Sequence, residues 1–96
     1  MIKIVGKMKV AADKVDAFKD AAAEIVAKSR AEEGNVSYSL NQSIDDPQTL
    51  AFIEVWKDQE AISIHNASEH FTRILPILGG MCEGAPEITL YTEVAF

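Results

Sequence analysis

The residues able to do chemistry are concentrated between Phe52 and Phe71, where ionisable and aromatic side chains alternate with apolar ones. Glu54 and Trp56 lie two positions apart on a strand-like run, so the period of a strand places them on one face. A carboxylate on a buried strand must be paired, protonated or at the rim of a pocket. Glu54 is therefore either an anchor for a neighbouring helix or an acid or base with a raised pKa.

Two histidines follow this strand. His65 lies near the end of a short helix, and His70 comes soon after a break at residues 66–68. Imidazole titrates near neutral pH, so His65 is a candidate acid, base or oxyanion donor; the alternative is a helix-terminal histidine bonded to backbone carbonyls. On one unbroken helix, the spacing of these two histidines would separate them by roughly 140°. There is no H-E-x-x-H motif or Cys/His ligand set, and we therefore expect no metal site.

Two further aromatic residues are candidates for a pocket. Trp56 is either a wall on which a flat aromatic substrate stacks or a core residue. Tyr38 falls on the apolar face of its own strand, where its hydroxyl bonds either a phenolic substrate or a protein group. The loop from Asp45 to Thr49 does not fix the hairpin register, so the sequence leaves open whether Tyr38 and Trp56 share a face.

Composition limits the classes of partner. The 96 residues allow a single domain, spanning 1–96, and the net charge of −6 argues against nucleic acid, which requires clustered cations. Lys3, Lys7 and Lys9 lie on one strand face and are expected to be solvated. The lone Cys82 excludes an internal disulfide, and we expect it to be inert. No signal peptide or long apolar run is evident, so we expect a cytoplasmic location and no membrane contact.

Hydrophobic periodicity predicts an α+β fold. The predicted elements, in order, are a strand over 2–10, a helix from Asp13 ended by Gly34, strands over 36–44 and 50–57, a short helix from Asp58, a helical segment from Ser68 to about Leu75, and a strand over 87–96. This β-α-β-β-α-β order is typical of the ferredoxin-like plan, an antiparallel sheet with its helices on one face. The strand from Leu50 is apolar on both faces, and the bare sheet face predicts a homodimer.

The chain resembles the antibiotic biosynthesis monooxygenase family, which includes small quinol monooxygenases. The resemblance rests on the motifs E-x-W, D-x-x-A-x-x-x-H and S-x-H-F, and it extends to D-K-V-D-A-F, E-E-G-N and Tyr38. The resemblance implies a dimeric α+β barrel and cofactor-independent oxygenation of a quinol-like or polyphenolic aromatic. It also suggests residue roles. Those expected to be catalytic are Tyr38, Glu54 and His65, and those expected to bind substrate are Phe52, Trp56, His70 and Phe71.

We expect no cofactor, because the chain lacks both a Gly-rich dinucleotide fingerprint and a phosphate loop. Two other functions stay open: isomerisation of a small phosphorylated dicarbonyl, and non-catalytic small-molecule binding by a stress-response dimer. The isomerase would need cations near its pocket, and the chain offers Lys57, Arg73 and the first-strand lysines. A haem-degrading branch has a similar strand tryptophan, but departures at Lys7, His65 and Leu75 indicate that haem is not the substrate.

Overall fold

A computed structural model describes all 96 residues, Met1 to Phe96. The elements are β1 (Ile2–Lys9), a 3₁₀ turn (Ala12–Lys14), α1 (Val15–Arg30), β2 (Asn35–Gln42), β3 (Thr49–Trp56), α2 (Gln59–Asn66), α3 (Glu69–Gly79) and β4 (Glu87–Tyr91). The strands form one antiparallel sheet in the order β2-β3-β1-β4. This confirms the ferredoxin-like prediction, including its broken second helix.

The core lies between one face of the sheet and the helices. Strand alternation turns the even-numbered residues of β1 and β3 toward the helices, and α1 adds a buried stripe at helical spacing. The buried apolar residues include Ile4, Met8, Leu50, Phe52, Trp56, Phe18, Ala22 and Ile25. Glu54 is part of this buried face, so the sheet positions a carboxylate among apolar side chains.

The β2–β3 hairpin settles the register that the sequence left open. Tyr38 pairs with Glu54, and the ring centroids of Tyr38 and Trp56 are 6.3 Å apart, so both side chains lie on the helix-facing side. The pairing is irregular between Asn35 and Ser37. Val36, predicted to share the apolar face with Tyr38, is instead exposed because this irregularity interrupts the alternation.

Helix α1 ends earlier than predicted, at Arg30, and Gly34 is not its terminator. The φ angle of Gly34 is not positive, so the left-handed conformation of a helix-ending glycine is not adopted. A Cβ at this position would lie 2.3 Å from the Cβ of Ala61 on α2. Gly34 is therefore required by the close approach of the α1–β2 turn to α2. Asp13, the predicted cap, belongs to the 3₁₀ turn and makes no capping hydrogen bond.

The start of each later helix is confirmed. The Asp58 side chain accepts from the Ala61 N–H at 2.9 Å, and the Ser68 hydroxyl accepts from the Phe71 N–H at 3.3 Å. Helix α3 continues through Pro76 to Gly79, beyond the predicted end at Leu75. Backbone bonding resumes after the proline, since the Gly80 N–H donates to the Pro76 carbonyl at 3.0 Å.

The opposite face of the sheet is open in the single chain. On β3, Ile53 is 41% exposed, and its neighbours Ala51 and Val55 are only half-buried. β4 is shorter than predicted and ends at Tyr91, and apolar side chains along it and the following residues are exposed: Ile88, Leu90, Tyr91, Val94 and Phe96. None of the helices combines the length and the apolar character needed to cross a bilayer.

Candidate active site

A cavity of about 360 Å³ lies between the helix-facing side of the sheet and α3. Its walls are mostly apolar, and a carboxylate and a phenol are its main polar groups. The lining residues are Ile4, Gly6, Met8, Tyr38, Phe52, Glu54, Phe71, Leu75, Pro76, Gly79, Cys82, Gly84, Pro86 and Ile88. Its volume is within the usual range for small-molecule sites, which also combine apolar walls with few polar groups.

Glu54 is the carboxylate that lines this cavity. Its side chain is only 8% exposed, and Oε1 accepts a hydrogen bond of 2.9 Å from Trp56 Nε1. Burial raises the pKa of Glu54, the Trp56 N–H opposes that rise, and the charge of Glu32 adds to it. A carboxylate with a raised pKa is a stronger base than a solvated one, so Glu54 can take a proton from a bound phenol.

Tyr38 presents a phenol beside this carboxylate. Burial, together with the charge of Glu54, raises the pKa of Tyr38 well above its usual value, so the hydroxyl keeps its proton and can donate a hydrogen bond. The Tyr38 ring packs on Phe52 with centroids 5.6 Å apart. Arg30 Nε donates to the Tyr38 carbonyl at 2.8 Å and ties this part of β2 to the end of α1.

Three predicted site residues do not line the cavity. Trp56 is fully buried, and His65, which is 2% exposed, packs against it with ring centroids 4.5 Å apart. His70 also lies outside the lining, whereas Phe52 and Phe71 are part of it. The structure thus brings Tyr38, Glu54, Phe52 and Phe71 together at the cavity. Trp56 and His65 form the layer behind them, so the geometry gives neither residue direct contact with a ligand there.

His65 and His70 meet at a residue that the sequence analysis did not single out. Glu32 Oε2 lies 2.6 Å from His65 Nδ1 and 2.8 Å from His70 Nε2. The separation of roughly 140° applies to one unbroken helix. The predicted break is present between Asn66 and Glu69, and it allows both imidazoles to reach the same carboxylate. Burial lowers the pKa of His65, and the bond to Glu32 partly offsets this change. The side-chain nitrogen and oxygen atoms of the three residues form a possible ligand set for a metal ion.

Sequence reasoning missed several cavity residues as well as Glu32. Strand alternation on β1 could have identified Ile4, Gly6 and Met8, since it places them on the same face. Glu32 is part of the E-E-G-N motif, but its link to His65 has no sequence signal, because 33 residues separate the two. Cys82 lines the cavity, its Sγ donates to the Leu78 carbonyl at 3.3 Å, and burial raises the pKa of its thiol.

Comparisons with known proteins add to this geometry. The family model described as antibiotic biosynthesis monooxygenase matches residues 1–76. A Bacillus subtilis protein named "Putative monooxygenase YcnE" is 38% identical over 71 residues, which cover 74% of this chain and 75% of that protein.

Solved structures agree over nearly the whole chain. A crystal structure described as an antibiotic biosynthesis monooxygenase superposes with a TM-score of 0.94 at 30% identity, covering 99% of this chain and 100% of the other. A conserved protein from Methanosarcina mazei Go1 gives a TM-score of 0.95 at 30% identity, covering 97% and 92% of the two chains.

Proposed function

We propose that this chain, which belongs to the antibiotic biosynthesis monooxygenase family, oxidises a quinol-like or polyphenolic aromatic with molecular oxygen and without a cofactor. Family membership supports a monooxygenase-like function at the general level. The cavity supports the more specific substrate class. Its mostly apolar walls fit an aromatic ring, and its volume of about 360 Å³ is at the lower end for ligand pockets, which favours substrates of one or two rings.

The observation that carries this proposal is the pairing of Tyr38 with Glu54 on the cavity wall. A quinol needs a base for one hydroxyl and a donor for the oxyanion that develops. Glu54, with its raised pKa, is suited to the first role, and Tyr38, which keeps its proton, is suited to the second. The surrounding apolar side chains strengthen both interactions by excluding water.

The proposed reaction needs no external reductant, because the substrate supplies all four electrons. Glu54 removes a phenolic proton, and the resulting anion transfers an electron to oxygen. The superoxide and the phenoxyl radical then combine at a ring carbon that carries hydrogen, and protonated Glu54 returns its proton to the peroxide to give a hydroperoxide. Loss of water breaks the O–O bond and leaves a new ring carbonyl. The net change is one quinol and one oxygen molecule converted into one hydroxyquinone and one water.

The lining gives less support to the alternatives. A phosphorylated substrate would be held by cations, but the cavity wall contains no lysine or arginine. Arg73 instead forms surface ion pairs with Glu24 and Glu69. Haem would need an axial ligand, but the cavity wall contains no histidine. Lys7 is on the opposite face of the sheet, where its Nζ lies 3.4 Å from Glu87 Oε2.

We also propose that the protein functions as a homodimer through the open face of its sheet. Ile53 and its half-buried neighbours on β3 form an apolar centre there, and such surfaces in soluble proteins usually mark an interface. Light scattering after size exclusion should give twice the monomer mass. Ile53→Asp should shift the protein toward monomer, because a charge buried at an interface is costly. A stable wild-type monomer at micromolar concentration would contradict this assembly.

Oxygen uptake with a panel of one-ring and two-ring quinols tests the proposed chemistry. We expect uptake matched by hydroxyquinone formation and insensitive to flavin, nicotinamide or haem supplements. Isotopically labelled oxygen should place one atom in the product and one in water. Saturable quinol binding without oxygen uptake would favour the non-catalytic binding function. The release of hydrogen peroxide without product hydroxylation would identify an oxidase instead.

A further inference from the structure

We infer that Glu32, His65 and His70 form a binding site for one divalent transition-metal ion of the zinc class, separate from the cavity. The candidate ligand atoms, a carboxylate oxygen and two ring nitrogens, all lie within 4.8 Å of one another. Glu32 Oε2 lies between the histidines, 2.6 Å from His65 Nδ1 and 2.8 Å from His70 Nε2. The two imidazoles therefore direct one nitrogen each toward a single point.

The ligands come from separate elements that the fold fixes in place. Glu32 is in the turn after α1, His65 is in the last turn of α2, and His70 is in the first turn of α3. The break between the two helices is held by Ser68, whose hydroxyl donates to the His65 carbonyl at 2.6 Å and accepts from the Phe71 N–H. These bonds set the angle between the helices, so the convergence of the two histidines is built into the backbone.

The donor set selects a class of metal. Two imidazole nitrogens and one carboxylate oxygen are typical of zinc bound by three protein ligands, with a fourth position for water. Calcium and magnesium require mainly oxygen ligands and fit this set poorly. Ligand atoms around tetrahedral zinc are about 3.3 Å apart, so an ion would lengthen the two Glu32–histidine distances by roughly half an ångström. Each histidine would keep its proton on the ring nitrogen that does not face the metal.

An acidic cleft offers a route for the ion. A depression of about 310 Å³ adjoins the site, and Glu32 is part of its wall. The other charged residues of this wall are Glu33, Lys57, Asp58 and Glu60. The excess of carboxylates over the single lysine attracts cations. The side chains of Glu32 and His70 are 13% and 12% exposed, so these two ligands are reachable from solvent.

A bound ion would have a mechanical consequence. It would join the α1–β2 turn to the α2–α3 break and hold the His65 ring against Trp56, which lies 4.5 Å away between ring centroids. Trp56 in turn donates to Glu54 at the cavity. The metal is thus a positioning element behind the cavity wall, with no contact to the cavity itself.

Titration of the chelator-treated full chain with zinc, and with cobalt(II) as a spectroscopic probe, tests this site. We expect one ion per chain with micromolar or tighter affinity, and visible cobalt absorption typical of low coordination number. Excess magnesium should not displace the ion. Zinc should also raise the thermal unfolding temperature, because an ion that binds only the folded chain stabilises it.

Three variants make the assignment specific. His70→Gln keeps an N–H donor for Glu32 but removes the nitrogen ligand, and Glu32→Gln keeps the shape but removes the anionic ligand. Each should weaken zinc binding by more than the roughly 10- to 100-fold that follows the loss of a residue that only hydrogen-bonds a ligand. The control Glu33→Gln makes the same charge change in the same cleft and should alter affinity only a few-fold.

Wild-type protein that fails to bind zinc at hundreds of micromolar would overturn the inference, leaving Glu32 as a hydrogen-bonding link only. Zinc binding that survives His70→Gln would also overturn it, and so would an equal loss in Glu33→Gln. Circular dichroism of each metal-free variant establishes that the chain is folded. Because quinol turnover is measured separately, failure of the metal site leaves the proposed oxygenation untouched.

Discussion

Trp56 Nε1 donates a hydrogen bond of 2.9 Å to Glu54 Oε1, joining two side chains on the same face of β3. This is the hydrogen bond that the buried carboxylate receives from the protein, and Trp56 itself is fully shielded from solvent. Trp56 does not line the cavity, so the structure links it to the cavity through its hydrogen bond to Glu54. The relationship makes the pKa of Glu54 depend on a residue outside the cavity lining.

Trp56→Phe removes this donor and some core volume. We expect a loss of about 2–4 kcal/mol in the free energy of unfolding, from the unpaired buried carboxylate and the smaller ring. The matched background is Glu54→Met, in which the donor has no acceptor. In the Glu54→Met background, Trp56→Phe should lower the free energy of unfolding, measured in urea, by at least about 1 kcal/mol less than it does in the wild type. Strictly additive effects would show that the hydrogen bond contributes nothing.

Glu54→Gln tests the pH dependence that burial imposes. The folded chain raises the pKa of Glu54 above its ordinary 4.5, chiefly by desolvation, so its contribution favours folding at low pH and is lost as pH rises through the folded value. The glutamine side chain cannot ionise. The variant should therefore gain stability relative to wild type as pH increases from about 4 toward neutrality. A difference in the free energy of unfolding between Glu54→Gln and wild type that does not change with pH would disprove the raised pKa.

Turnover variants separate the two polar groups of the cavity. Glu54→Gln should lower quinol oxidation by about 10²–10⁴-fold, as expected for a lost general base, with little change in binding. Tyr38→Phe removes one hydroxyl and keeps the ring, so its effect should be smaller. His65→Gln should act mainly through stability, since His65 packs behind the wall. Near-normal turnover in folded Glu54→Gln would remove Glu54 from the chemistry.

Much of the fold followed from local sequence patterns, because alternation in β1 and β3 and the caps Asp58 and Ser68 are short-range signals. The candidate site could be predicted from these patterns only in part. Strand faces singled out Glu54 and Tyr38, and the family resemblance added Phe52 and Phe71, but the burial of Trp56 and His65 behind the cavity wall depends on depth, which periodicity does not encode. The link between Glu32 and the histidines depends on the helix break and on long-range packing, and no spacing rule predicts it.

Gly34→Ala tests the close approach of the α1–β2 turn to α2. The added Cβ would lie 2.3 Å from that of Ala61, so the two segments must separate. We expect a loss of about 1–3 kcal/mol in urea unfolding. Gly79→Ala is the matched control, since its Cβ meets nothing within 4 Å and α3 includes this residue. It should be neutral or stabilising by up to about 1 kcal/mol. Equal stability of Gly34→Ala and wild type would contradict the packing.

Gly6→Val tests whether the cavity limits substrate size. Gly6 lines the cavity, and a Cβ built there meets nothing within 4 Å, so the new side chain would occupy space that is open in the wild type. The fold should keep its stability or gain several tenths of a kcal/mol, because glycine weakens a strand. Binding of two-ring quinols should weaken by about tenfold or more, as expected for steric loss in an apolar pocket, and one-ring quinols should change less. Binding isotherms for the two substrate sizes, measured on the same variant, provide the comparison. An equal effect on both sizes, or none, would show that quinols do not bind beside Gly6.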